Sequence, residues 1–236
     1  MRRLGVIGGL GPESTIDYYK TLVEVWRRER PSEIDAGSNP PLIIDSLDVQ
    51  KAIALVTAGD LHGLTEYLVE SVQRLAGGGA ELALMSANTP HLVFDQVRAA
   101  SPIPMISIIE SASRAAAARG MKRVALFGTR FTMQSSMYPE GLRREGIDVV
   151  VPTDDEQSFI HEKYLNELIP GIFRDETRAK LIAIIHAIHA RTPIDAVILG
   201  GTELPLILRE PAYGGITMLD TTRIHVEAAV REMVGG

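Results

Sequence analysis

Short apolar runs of strand length alternate along the chain with longer stretches in which apolar residues recur at helical spacing. That alternation predicts strands joined by crossover helices in mainly parallel sheets, an α/β fold. The runs Arg3–Gly8, Pro41–Asp45, Leu82–Met85, Met105–Ile106, Val124–Gly128, Val149–Val151, Ala196–Leu199 and Thr217–Leu219 read as strands. Helical periodicity covers Glu13–Arg28, Leu61–Ala76, His91–Ala99, Ile109–Arg119, Arg174–Arg191 and Thr222–Met233. Three consecutive glycines, Gly77, Gly78 and Gly79, close one of these helices ahead of a strand, as helix-ending glycines do.

The pattern repeats. Arg2–Gly8 and Lys122–Gly128 each give two basic residues, an apolar strand and a glycine turn. Glu81–Thr89 and Asp195–Glu203 each give a buried strand running into small polar residues and a helix start. Both pairs are offset by roughly the length of one small domain, about 100–120 residues. Two similar Rossmann-like lobes follow: residues 1–110 completed by 214–236, and residues 111–213. Ligands of open parallel sheets sit beyond the carboxyl ends of strands, so Ser86–Thr89 and Gly201–Glu203 are expected on opposite walls of one cleft.

Three junctions offer chemistry. Gly8–Thr15 follows the first strand and opens a helix, a place for an anion or simply a tight turn. It lacks the third glycine of a dinucleotide fingerprint and the Gly-Lys-Ser/Thr ending of a phosphate-binding loop. Asn88 and Thr89 set donors and acceptors beside unpaired helix N–H groups, where they either hold a carboxylate or cap their own helix. Thr202 is the mirror donor, and Glu203 is either a general base or a carboxylate stabilised by the helix dipole. His91 and His161 are possible cleft residues. His186 and His189 share a helix face with no carboxylate beside them, so they read as solvated rather than metal-binding. No Gly-x-Ser-x-Gly elbow is present.

Composition narrows the function classes. With 45% hydrophobic and 23% charged residues over 236 positions, the chain has the make-up of a folded globular protein. A formal net charge of −6 gives no footprint for DNA or RNA. The one local basic cluster, Arg27, Arg28 and Arg30, is interleaved with Glu24 and Glu29. No secretory signal or membrane-spanning run is legible at the N-terminus, so a cytoplasmic location and no membrane partner are expected. Cysteine is absent altogether. There is therefore no disulfide, thiolate metal site or thiol nucleophile.

Taken together, Gly5–Tyr19, Ala87–His91, Lys163–Ile169, Leu199–Leu206 and Leu219–His225 resemble the cofactor-independent aspartate/glutamate racemase family from end to end. The resemblance implies two α/β lobes related by a pseudo-twofold, closing over an amino acid, with one cysteine from each lobe facing the α-carbon. One thiolate removes the proton and the opposite thiol returns it. Here Ser86, or Ala87 under the family's other spacing, stands at the first cysteine position, and Gly201 stands at the second. A hydroxyl is a far weaker acid than a thiol of pKa about 8.5, and glycine has no side chain.

The resemblance also implies a carboxylate-binding shell of Gly9, Asn88, Thr89 and Thr202, with Lys163 meeting a side-chain carboxylate. Gln50 and Lys51 lie near where some members carry an arginine, which leaves specificity for dicarboxylic amino acids open. The expected protein is an isomerase-family enzyme that binds a small carboxylate or amino acid, recruited to other chemistry through Glu203, His91, Lys163 or water. The alternatives are a catalytically inactive small-acid binding or regulatory protein and a thiol-deleted mutant. A homodimer is expected from families of this kind.

Overall fold

The computed structural model describes residues 1–30 and 37–235. It forms two compact units, Met1–Ile108 with Thr222–Gly236, and Ile109–Thr221.

The first unit runs β1 (Leu4–Gly8), α1 (Pro12–Glu29), β2 (Leu42–Ser46), α2 (Val49–Thr57), α3 (Leu61–Gly77), β3 (Leu82–Met85), a 3₁₀ turn (Thr89–Val93), α4 (Phe94–Ala100) and β4 (Met105–Ile106). Its strands lie in the order β2-β1-β3-β4, all parallel. Because β1 is flanked on both sides, all five of its residues are buried, which accounts for an apolar run without alternation.

Tyr18, Leu22, Val25 and Trp26 recur at helical spacing along α1, and Val226, Ala229, Val230 and Met233 do so along the C-terminal helix. Both stripes pack with Leu4, Val6, Leu82 and Leu84 of the central strands. Full burial of a side chain of this size stabilises by about 1.5–3 kcal/mol. A further stripe on α3, Leu64, Leu68, Val72 and Leu75, is also buried. A Cβ at Gly5 would come within 3.1 Å of the Leu75 and Ala80 Cβ atoms, so glycine there permits the close approach.

The second unit comprises α5 (Ile108–Ala118), β5 (Arg123–Gly128), α6 (Arg130–Gln134), α7 (Met137–Arg144), β6 (Asp148–Val150), α8 (Asp154–Lys163), a π-helical turn (Tyr164–Leu168), α9 (Asp175–Arg191), β7 (Ala196–Gly200), α10 (Leu204–Ile207), β8 (Ala212–Tyr213) and β9 (Ile216–Asp220). The C-terminal helix, α11, is Thr221–Val234. Sheet order is β6-β5-β7-β9-β8, parallel except for the β8–β9 hairpin.

The four parallel strands of each sheet follow the same order, so the sequence repeat is a repeat of topology. The acidic residue heading each repeated strand also plays one part in both units. Glu81 accepts from the Arg3 N–H at 2.8 Å, and Asp195 accepts from the Lys122 and Arg123 N–H groups at 2.7 and 2.9 Å.

Every expected strand forms, with ends displaced by at most one residue. Three differences have physical causes. Residues 214–221 were expected with the first lobe, but Ile216–Asp220 pairs with β7 and lies in the second sheet. The β8–β9 hairpin, absent from the expectation, turns on Gly214 and Gly215, both at positive φ, the conformation that two-residue hairpins need. Helices α2, α6, α7 and α8 were also not expected. They are short, and three of them are marked by caps: Asp48 accepts from Gln50 N–H, Thr129 from Thr132 N–H, and Thr153 with Glu156 forms a capping box, while α7 has no side-chain cap. Among the described residues, no helix is long and apolar enough to cross a membrane.

Candidate active site

In each unit the strand order reverses between the first strand and its inner neighbour, at β1/β3 and β5/β7. A crevice for ligands is expected beyond the carboxyl ends of such a strand pair. Gly9 and Ser86–Thr89 follow β1 and β3 in one half-site, within the first unit, and Gly201–Glu203 follow β7 in the other, within the second.

In the first unit Gly9 follows β1 with φ 74°, and its N–H donates to Thr15 Oγ1 at 2.8 Å. A Cβ on Gly9 would overlap the Leu47 backbone, whose N–H donates to Gly8 carbonyl at 2.9 Å. This contact draws the ends of β1 and β2 together. Gln50 sits in the first turn of α2, its N–H bonded to Asp48 Oδ1 at 2.8 Å and its side chain exposed. Lys51 lies 4.1 Å above the Tyr67 ring.

Ser86 is fully buried. Its hydroxyl donates to Ile7 carbonyl at 3.1 Å and lies 3.4 Å from Thr15 Oγ1, while its carbonyl accepts from Ser14 Oγ at 2.7 Å. This hydroxyl belongs to the packing of β1, β3 and α1. Ala87, the other candidate for the first thiol position, presents a methyl group. Asn88 is buried and does not cap the following 3₁₀ turn through its side chain. Thr89, half-buried, opens that turn.

His91 is a structural pin. Its Nε2 accepts from Ile108 N–H at 3.1 Å, so Nδ1 carries the proton and donates to Ala87 carbonyl at 2.9 Å. The ring stacks on Phe94 with centroids 4.9 Å apart. Burial, reinforced by His225, pushes its pKa down to about 3. His225 is built alike: Nε2 meets Ile106 carbonyl at 3.0 Å, and Nδ1 accepts from the Tyr18 hydroxyl at 2.9 Å. Burial holds its pKa at about 4. Both imidazoles are neutral and bonded at both nitrogens.

In the second unit Gly201, Thr202 and Glu203 follow β7, and all three are buried. Glu203 accepts from the Thr202 hydroxyl at 3.2 Å and from the Tyr164 hydroxyl. Burial, followed by the Glu203 charge, raises the Tyr164 phenol well above its ordinary range. The phenol is therefore an uncharged donor at neutral pH. Tyr164 was not singled out from the sequence as a site residue, because only folding brings it across 39 positions to Glu203.

Lys163 already has a partner, Glu167 Oε1 at 2.9 Å. That bond is the main cause of its raised pKa. Glu167 in turn accepts from Thr177 Oγ1 at 2.6 Å. His161 Nδ1 accepts from Arg130 N–H at 3.2 Å. His186 and His189 are exposed, and among the described residues no group of three or more histidine, aspartate or glutamate side chains could hold a metal ion.

The two units share a parallel α/β topology with small polar residues at matching strand ends. The sequence pattern of the Asp/Glu/Hydantoin racemase family matches residues 7–229, and the chain belongs to that family. An aspartate racemase homologue from Pyrococcus horikoshii OT3 is 33% identical and superposes with a TM-score of 0.80 over 100% of both chains. Glutamate racemase from Koribacter versatilis (strain Ellin345) is 27% identical over 182 residues, 72% of this chain and 59% of that protein. Glutamate racemase from Francisella tularensis, in complex with D-glutamate, shares the fold at 17% identity, with a TM-score of 0.67 over 99% of this chain and 81% of that one.

Proposed function

We propose that this protein binds a small carboxylate or amino acid-like substrate and performs chemistry at a carboxylate-bearing carbon other than two-thiol racemisation. Family membership supports the substrate class. The observation that carries the rest is the pair of thiol positions: Ser86 or Ala87 at one and Gly201 at the other, in a chain without cysteine. Asn88, Thr89, Thr202 and the Gly9 turn act as the carboxylate-holding residues. Glu203 is the one acidic group among the second half-site's residues that can take or give a proton. The protein acts without a cofactor, in the cytoplasm, as a homodimer.

Incubation with L-aspartate or L-glutamate in heavy water tests this reading. No deuterium should enter at the α-carbon, while calorimetric titration with the same acids should show binding that Asn88→Ala weakens. Rapid α-deuteration would refute the loss of racemisation, and absence of binding would refute the substrate class. A second reading, binding without turnover, is favoured by the buried Ser86 hydroxyl, which is committed to the Ile7 carbonyl. Decarboxylation or elimination products from a panel of small acids would exclude it.

A further inference from the structure

Position 201 lacks a side chain, yet the space beside it is filled. A Cβ built on Gly201 would overlap Tyr164 Cε2 and lie 2.7 Å from its hydroxyl oxygen and 2.8 Å from Cζ. Comfortable carbon–carbon contacts fall near 3.5–4.0 Å, so a side chain at 201 and the ring at 164 cannot share this volume. The backbone does not demand glycine: Gly201 is not among the residues at positive φ. Its neighbour differs, because a Cβ at Gly200 would lie 2.8 Å from the Phe127 carbonyl, a fixed backbone atom. At 201 the three nearest atoms all belong to one side chain, Tyr164.

That ring has little room to retreat. Tyr164 is 4% exposed, and its hydroxyl is bound to Glu203. It also begins the π-helical turn that continues α8, a local widening of the kind found at functional sites. Simple loss of a side chain at 201 would leave a hole. Here the hole is occupied, which makes glycine and tyrosine a matched pair.

We propose that Tyr164 has replaced residue 201 as the group this half-site presents: its ring takes the side-chain space, and its phenol, held by Glu203, is the polar group standing there. This deepens the proposed function and rests on its assignment of a thiol position to residue 201. A thiol at 201 and a tyrosine at 164 exclude each other, so restoring cysteine alone does not rebuild the thiol half-site.

The test is a double-mutant cycle read by thermal unfolding. Gly201→Ala should lower the Tm by roughly 3–10 °C, as overpacking does in a chain of this size. In a Tyr164→Ala background it should cost less than about 2 °C or raise the Tm. In Tyr164→Phe, where the ring stays, the full penalty should persist. Equal cost in all three backgrounds would overturn the pairing, and an unfolded Gly201→Ala rescued by Tyr164→Ala would support it.

Gly201→Cys gives a second readout, because the chain has no other thiol. Its reaction with a disulfide reagent in the folded state should be roughly tenfold faster with Tyr164→Ala than with Tyr164 present, as access to the sulfur increases. Equal rates would count against the proposal. Neither readout needs a ligand. A wild-type protein that binds no amino acid would therefore defeat the proposed function, and the cycle would still decide the pairing.

Discussion

The two half-sites sit at equivalent places in a repeated topology and are held in different ways. In the first, side chains are tied mainly to backbone: Ser86 to the Ile7 carbonyl, His91 between Ala87 and Ile108, and His225 to Ile106, with Tyr18 adding one side-chain bond to His225. In the second, side chains are tied to one another, Tyr164 and Thr202 both to Glu203. A backbone-tied junction is rigid and neutral, so it suits holding a ligand. A phenol–carboxylate cluster concentrates exchangeable protons, so it suits proton-transfer chemistry.

The largest effect that would sharpen this contrast is at His91. His91→Leu leaves the Ala87 carbonyl and the Ile108 N–H without their partner and should cost about 2–5 kcal/mol, read as a lower urea midpoint. Trp26, the chain's one tryptophan, lies in the core of that unit and reports it by fluorescence. A near-neutral His91→Leu would break the view of the first half-site as backbone-tied.

Acid comes next. His91 and His225 have folded pKa values of about 3 and about 4, below the ordinary value of about 6.5. The unfolded chain takes up protons that the folded one refuses. Their contribution is therefore complete above about pH 6.5 and is lost as the pH falls toward 4, by up to about 1.4 kcal/mol per pH unit for each. The Trp26 unfolding midpoint should drop across that window, and less so in His225→Leu. Identical pH slopes in the two proteins would contradict the neutral-histidine assignment.

The smallest effect belongs to Gln50. Its capping contact uses the backbone N–H, and its side chain is exposed. Gln50→Ala should shift stability by no more than about 0.5 kcal/mol. If the side chain reads a distal carboxylate, calorimetry will show weaker binding of L-glutamate with stability unchanged. Unchanged affinity would remove Gln50 from the binding shell.

The sequence by itself determined the strands, because a central parallel strand buried on both faces must be an unbroken apolar run, as in Leu4–Gly8 and Ala196–Gly200. It also determined the repeat and the absence of a thiol. Short helices were less legible, since three of the unexpected four are marked by little more than a cap. Tertiary structure alone decided which polar residues are structural. His91 looked like a cleft residue by position, and it became a pin only when Ile108 came within 3.1 Å. Lys163, by contrast, met Glu167 one helical turn away, an i,i+4 spacing that the sequence itself displays. Tyr164 could not be tied to Gly201 from the sequence, because steric exclusion acts between atoms in space and leaves no periodic trace along the chain.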